Sequence, residues 1–233
     1  MFRLTKRLDK TRILLSSGTH MVTDTYASFI VGLIPVLAEK FELSLFLVSV
    51  LSAVNFISNS LTQPLFGYLS DKYGIRYFLV AGPLAASVFI SILGISPGYW
   101  FILMFLFLGN LGVAAIHPPT AATASYTGGS RKGFINSIIS FGGTLGFSVG
   151  SLFVILIINK LGLKFTPLAA IPGIIMSLII LKSNPHIFKS GSNKSESHLF
   201  KKIKNVKKAK LGLLALMVFT SFSRDLTVLS MLT

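Results

Sequence analysis

Seven long apolar stretches follow one another along this chain of 233 residues, each close to the roughly 20 residues that carry a helix across a hydrocarbon core of about 30 Å. They run from Ile13 to Leu37, Leu43 to Gly67, Tyr77 to Ile95, Tyr99 to Tyr126, Gly133 to Asn159, Phe165 to Leu181 and Leu211 to Thr233. Charges and helix breakers set their ends: Glu39, Lys40 and Glu42; Asp71 to Arg76; Ser96, Pro97 and Gly98; Gly128 to Lys132; Lys160 to Lys164. A helix in lipid is apolar all round, so periodicity says little about which face meets which neighbour. Composition agrees with the spans. With 52% apolar and 12% charged residues and a mean hydropathy of +0.74, a water-soluble globule would lack the polar side chains to cover itself. The chain reads as an all-α membrane protein.

The basic residues give an orientation. Lysine and arginine near span ends are retained in the cytoplasm. Eighteen of them fall on the N-terminal side of the bundle, nine in the stretch from Lys182 to Lys210 alone, against three on the opposite side (Lys40, Lys160, Lys164). The N-terminus is therefore expected in the cytoplasm of a multi-pass inner-membrane protein, with Tyr99 and Trp100 at the outer interface, where aromatic rings settle. The same bias accounts for the net charge of +15 and for the run KKIKNVKKAK (Lys201 to Lys210), which needs no nucleic-acid partner. The N-terminal basic run leads into 25 largely apolar residues, which fits a first span anchored in the cytoplasm better than a cleaved leader. Asn184 to Ser197, rich in Ser, Lys and Asn, reads as a flexible linker. No cysteine occurs, and four scattered histidines lack ligand spacing, so no metal and no cofactor is expected. Without a nucleotide-binding loop, catalytic triad or metal cluster, neither an ATP-driven pump nor a membrane enzyme is indicated.

Ionisable side chains inside spans are costly in lipid and usually face a cavity or a partner. His20, Asp24, His117, Arg224 and Asp225 qualify. Counting about 1.5 Å per residue from the cytoplasmic span ends, His20 and His117 lie at equal depth, with Asp24 and Arg224 deeper. His20 and Asp24, four residues apart, share a helix face. Pro118 and Pro119 disfavour helical geometry at His117 and leave the carbonyls of Ala114 and Ala115 open to substrate, proton or water. A structural hydrogen bond across the bundle is the other reading of the histidines. Asn55, Asn59 and Gln63 form a polar stripe in the second span, facing either the aqueous path or another helix.

The loop GYLSDKYGIRY from Gly67 to Tyr77 resembles the signature loop of the major facilitator superfamily in Gly67, Asp71, Lys72, Gly74 and Arg76; Ile75 stands where the pattern usually has a cation. The resemblance covers Ile13 to Thr233. It implies a six-helix bundle of two inverted three-helix repeats over residues 1–182, a basic cytoplasmic linker over 183–210, and over 211–233 the seventh helix of a second half that is truncated here. Asp71 can accept bonds from helix amides and pair with Arg76 or Lys72, and the resemblance implies that this loop acts as a latch against the other half during alternating access. His20 with Asp24, the segment GNLGVAAIHPPTAA (Gly109 to Ala122) and the segment FINSIISFGGTLGFSVG (Phe134 to Gly150) look like the fosmidomycin-resistance type of drug exporter. Gly133, Gly142, Gly146 and Gly150 resemble the glycine motif of the superfamily's exporters, although Phe147 and Ser151 replace its later proline and glycine; close helix packing explains the four-residue spacing equally.

Since spans one, four and seven line the central cavity in the superfamily, the resemblance implies that His20, Asp24, His117 and Arg224 converge there. The expected function is proton-coupled efflux of a small drug-like or anionic compound by alternating access. Asp24 would bind the proton, Arg224 the substrate's negative group or Asp24, and the histidines would relay protons; sodium is an alternative coupling ion. Two other readings stand: proton-coupled uptake of an organic anion, and a truncated or split half-transporter that needs a second half or a second copy to cover its polar cavity wall.

Overall fold

The computed structural model describes residues 2–188 and Gly212, with side chains from Lys10 onward; the seventh apolar stretch with Arg224 and Asp225, and nearly all of the linker, lie outside the described residues. Contacts gather Met1–Ser190 into one compact unit, to which the account below refers.

Its helices are α1 (Phe2–Lys40), α2 (Leu45–Phe56), α3 (Gln63–Tyr73), α4 (Ile75–Ser91), α5 (Tyr99–Thr127), α6 (Lys132–Leu161) and α7 (Ile171–Lys182), with short 3₁₀ turns at Ile92–Ile95 and Leu163–Ala170. No strand occurs among the described residues. Six helical stretches are long and apolar enough to cross a membrane: Lys10–Lys40, Leu45–Tyr73, Ile75–Ile95, Tyr99–Thr127, Gly129–Leu161 and Leu163–Lys182. They overlie the first six stretches read from the apolar runs, and the architecture is an all-α bundle of membrane-length helices.

The second span joins α2 to α3 through a π-wound turn, Ile57–Leu61. Pro64 has no N–H to offer the carbonyl of Ser60, and its ring presses on that carbonyl, so the helix widens just upstream. Hydroxyls then bond within the loosened turn: Ser58 Oγ to the carbonyl of Val54, and Thr62 Oγ1 to that of Ser58 at 2.6 Å. At the start of this span Ser44 caps α2, its side chain accepting from the amide of Leu47 at 3.4 Å. The turn between the second and third spans is a single residue. Gly74 has φ 101°, which a side chain would strain, and it lets α3 stop at Tyr73 and α4 begin at Ile75.

α1 runs through the middle of the packing. Its Tyr26, Phe29, Leu33 and Leu37 are fully buried, together with Ile90 and Leu93 after α4 and Ile102 and Leu106 of α5. Between helices in lipid, small residues and hydrogen bonds replace the hydrophobic effect as the source of specificity. The hydroxyl of Tyr26 donates to the carbonyl of Ala169 at 2.7 Å and accepts from the amide of Gly173 at 3.0 Å, tying α1 to the sixth span. Ser177 Oγ donates to the carbonyl of Val80, joining α7 to α4, and Ser16 and Thr123 join α1 to α5 at 3.2 Å.

Candidate functional site

Asp24 is the one carboxylate in the middle of a membrane-length stretch among the described residues, and two histidines meet it. On α1, one helical turn before it, His20 places Nε2 3.2 Å from Asp24 Oδ2; from α5, His117 places Nε2 3.9 Å from Asp24 Oδ1. The two imidazoles stand edge to face, with ring centroids 5.1 Å apart. Equal depth along two neighbouring helices thus becomes contact. His20 Nδ1 lies 3.1 Å from the carbonyl of Ile139 on α6, so the ring is held from a third helix.

A cavity of about 380 Å³ opens beside the histidines, lined also by Gln63 of α3, Thr120 of α5, and Asn136 and Ser140 of α6. His20 and His117 line this cavity, and Asp24, its side chain 14% exposed, sits behind the two rings.

The glycines of α6 explain why α1 lies close enough for this. Gly142, Gly146 and Gly150 face Ser17, Met21 and Thr25, so two ladders of four-residue spacing run side by side. A Cβ on Gly146 would overlap the backbone carbonyl of Met21. Gly143, which the stripe of four omits, touches the site itself: a Cβ there would stand 2.7 Å from both Asp24 Oδ2 and His20 Nε2. Gly133, grouped with the stripe from its spacing, has nothing within 4 Å of a built Cβ and takes no part in the close approach.

Three other expectations meet a different geometry. α5 continues as an α-helix through Pro118 and Pro119 instead of breaking at His117, and Ala114 and Ala115 are buried away from the cavity, so their carbonyls do not serve it. The bundle packed around α5 holds the helix despite the missing N–H groups. Asp71 is exposed and has no ion pair with Arg76 or Lys72 within 4 Å. Arg76 turns instead to the end of α7, donating from Nη2 to the carbonyls of Leu181 at 2.5 Å, Ser183 at 2.9 Å and Ile180 at 3.4 Å. The carbonyl of Ile180 also accepts from the amide and hydroxyl of Ser183, but those of Leu181 and Ser183 are ones that a helix C-terminus leaves without internal partners, and a cation is favoured beside them. Gly67, in the same loop motif, packs against Pro118, with a built Cβ 3.7 Å from the ring.

The polar stripe of the second span divides. Asn55 accepts from Asn110 Nδ2 of α5 at 2.9 Å, whereas Gln63 lines the cavity. Asn110, in an apolar run without other polar signal, was not foreseen; a fully buried amide in the middle of a span was the available cue. Arg224 lies outside the described residues.

Residues 16–233 match the family model described as Major Facilitator Superfamily. The chain is similar to the Fosmidomycin resistance protein of Escherichia coli (strain K12), 28% identical over 146 residues, 63% of this chain and 36% of that protein. It is also similar to the MFS-type transporter YfnC of Bacillus subtilis (strain 168), 29% identical over 143 residues, 61% of this chain and 35% of that protein. The matched segment spans about a third of the length of each of these curated relatives.

Proposed function

We propose that this chain, which belongs to the major facilitator superfamily, serves proton-coupled export of a small drug-like or anionic compound, with Asp24 as the proton site. Membership indicates a transporter rather than an enzyme, acting on a small molecule in a bilayer. The observation that carries the finer reading is the convergence of His20 and His117, which line one cavity, on the carboxylate of Asp24 behind them. A carboxylate kept beside a cavity inside a membrane is a functional group by default, because its burial is costly. Here two imidazoles offer it proton donors and acceptors.

In this reading Asp24 loses its proton when the cavity opens to one side and regains it when the cavity opens to the other, and His20 and His117 pass the proton along. Gly142, Gly146 and Gly150 keep α1 and α6 together as one rigid body through the cycle. Arg76 fixes the sixth span to the Gly74 turn and leaves exposed Asp71 to engage the other half, and the N-terminus lies in the cytoplasm of the inner membrane. Residues 1–182 form the first half, 183–210 the linker and 211–233 the start of the next helix. The resistance named in the Escherichia coli relative favours export over uptake.

Vesicles of known orientation carrying the protein, with fosmidomycin as first probe, test this. An imposed pH gradient should drive flux, and Asp24→Asn should abolish the gradient-driven part while the protein stays in the membrane. Unchanged flux in the variant removes Asp24 from the mechanism, and accumulation in the opposite sense under the same gradient makes the protein an uptake system.

A further inference from the structure

We propose that His20, Asp24 and His117 bind a borderline divalent cation of the Zn²⁺ class, held by two imidazole nitrogens and one carboxylate. Sequence spacing gave no hint of this, since the histidines are 97 residues apart. In the fold their Nε2 atoms and a carboxylate oxygen of Asp24 all lie within 4.8 Å of one another.

The orientation of the donors carries the argument. The carbonyl of Ile139 can only accept, so the hydrogen bond at His20 Nδ1 places the ring proton there and leaves Nε2 with its lone pair in the neutral ring. That lone pair points at Asp24 Oδ2, another acceptor, 3.2 Å away. The other carboxylate oxygen, Oδ1, is buried with no hydrogen-bond donor, and His117 Nε2 stands 3.9 Å from it. With the ring proton of His117 on its Nδ1, three electron-pair donors converge with nothing positive between them. A proton on His20 relieves one edge of the cluster, whereas a divalent cation satisfies all three corners at once. Fixing a ligating imidazole by a hydrogen bond from its other nitrogen to a carbonyl is also how metal-binding histidines are commonly held.

The dimensions fit. Zinc–nitrogen and zinc–oxygen bonds of about 2.0–2.1 Å set tetrahedral ligand–ligand distances of about 3.3 Å. The 3.2 Å edge already matches, and the 3.9 Å edge and the longest separation, within 4.8 Å, close as the His117 ring turns toward His20 and Asp24. Imidazole donors favour zinc, copper or nickel over magnesium and calcium, which prefer all-oxygen shells. Three protein ligands beside a cavity of about 380 Å³ leave at least one position for water, as in exchangeable rather than structural zinc sites. The chain has no cysteine, so no thiolate competes for the ion. Binding does not depend on the transport reading; if that reading holds as well, the metal and the coupling proton compete for Asp24.

The full chain, purified on an affinity tag without histidines and stripped with chelator, is titrated with Co²⁺ and followed by visible absorption. One Co²⁺ per chain is expected, displaced by Zn²⁺ and unaffected by millimolar Mg²⁺. Loss of second-shell partners typically costs 10–100-fold in metal affinity, so His117→Gln and Asp24→Asn, which remove ligands outright, should weaken binding by more than about 100-fold. His186→Ala and His198→Ala should leave it unchanged. Gly143→Ala keeps every donor but drives a methyl group between His20 and Asp24, and should weaken binding while the protein stays folded. Absence of saturable Co²⁺ binding by the unmodified chain overturns the proposal, as does binding that survives in folded His117→Gln or is lost in His186→Ala or His198→Ala.

Discussion

Replacing Gly146 by alanine should separate α1 from α6, and the same change at Gly133 should not. Built on Gly146, a Cβ overlaps the carbonyl oxygen and carbonyl carbon of Met21 and comes within 3.0 Å of its Cα, all of them backbone atoms of α1 that no rotamer change can move. Restoring an ordinary contact of about 3.5 Å requires the two helices to part by more than about 1 Å along the seam they share. Overpacking of this kind costs about 1–3 kcal/mol. Against that stands the gain in helix propensity from Gly to Ala, about 0.8–1.0 kcal/mol in a helix interior, which applies at Gly146 but less at Gly133 in the first turn of α6. Gly133→Ala meets nothing within 4 Å. Gly146→Ala should therefore be less stable than Gly133→Ala by up to about 2 kcal/mol, read as the difference in midpoint and slope of SDS-induced unfolding from mixed micelles. Equal stability of the two variants would refute the reasoning that α6 glycines are placed by the approach of α1.

Arg76→Ala should destabilise the sixth span by about 1.5–3 kcal/mol, the range for hydrogen bonds to a charged group, because the carbonyls of Leu181 and Ser183 lose the guanidinium donor. Amide exchange should rise at the end of α7 first, and an effect confined to the Gly74 turn would contradict this. Tyr26→Phe removes the hydroxyl that both donates to Ala169 and accepts from Gly173, leaving two buried backbone groups unpaired; a loss of about 1–3 kcal/mol in the same unfolding assay is expected, and no loss would mean that water replaces the hydroxyl.

Much of the bundle is legible in the sequence because the solvent is lipid. Helix existence follows from apolar length alone, and helix ends from Asp71, Arg76, Pro97, Gly98 and Lys160. The pairing of His20 with Asp24 follows from four-residue spacing, and the approach of His117 from its equal depth. What stayed hidden is contact between helices, since uniform apolarity removes the stripe that would show which side faces inward. Gly143 could not be told from its neighbours until α1 was seen to lie against it. Arg76 is five residues from the loop carboxylate, yet it bonds to carbonyls more than 100 residues away, an encounter set by the packing of α4 on α7. The prolines at 118 and 119 were read from local rules as a break, and tertiary packing overrode the local preference.

The central claim is that the His20–Asp24–His117 cluster looks onto water inside a membrane bundle. The natural absence of cysteine makes a direct measurement simple. A cysteine placed at position 24, and separately one at Leu33 in the buried core of the same helix, is exposed in native membranes to a membrane-impermeant thiol reagent applied from each side. Labelling at position 24 from one side, with none at position 33, is the predicted result. A cysteine at position 24 that resists the reagent from both sides would contradict the account.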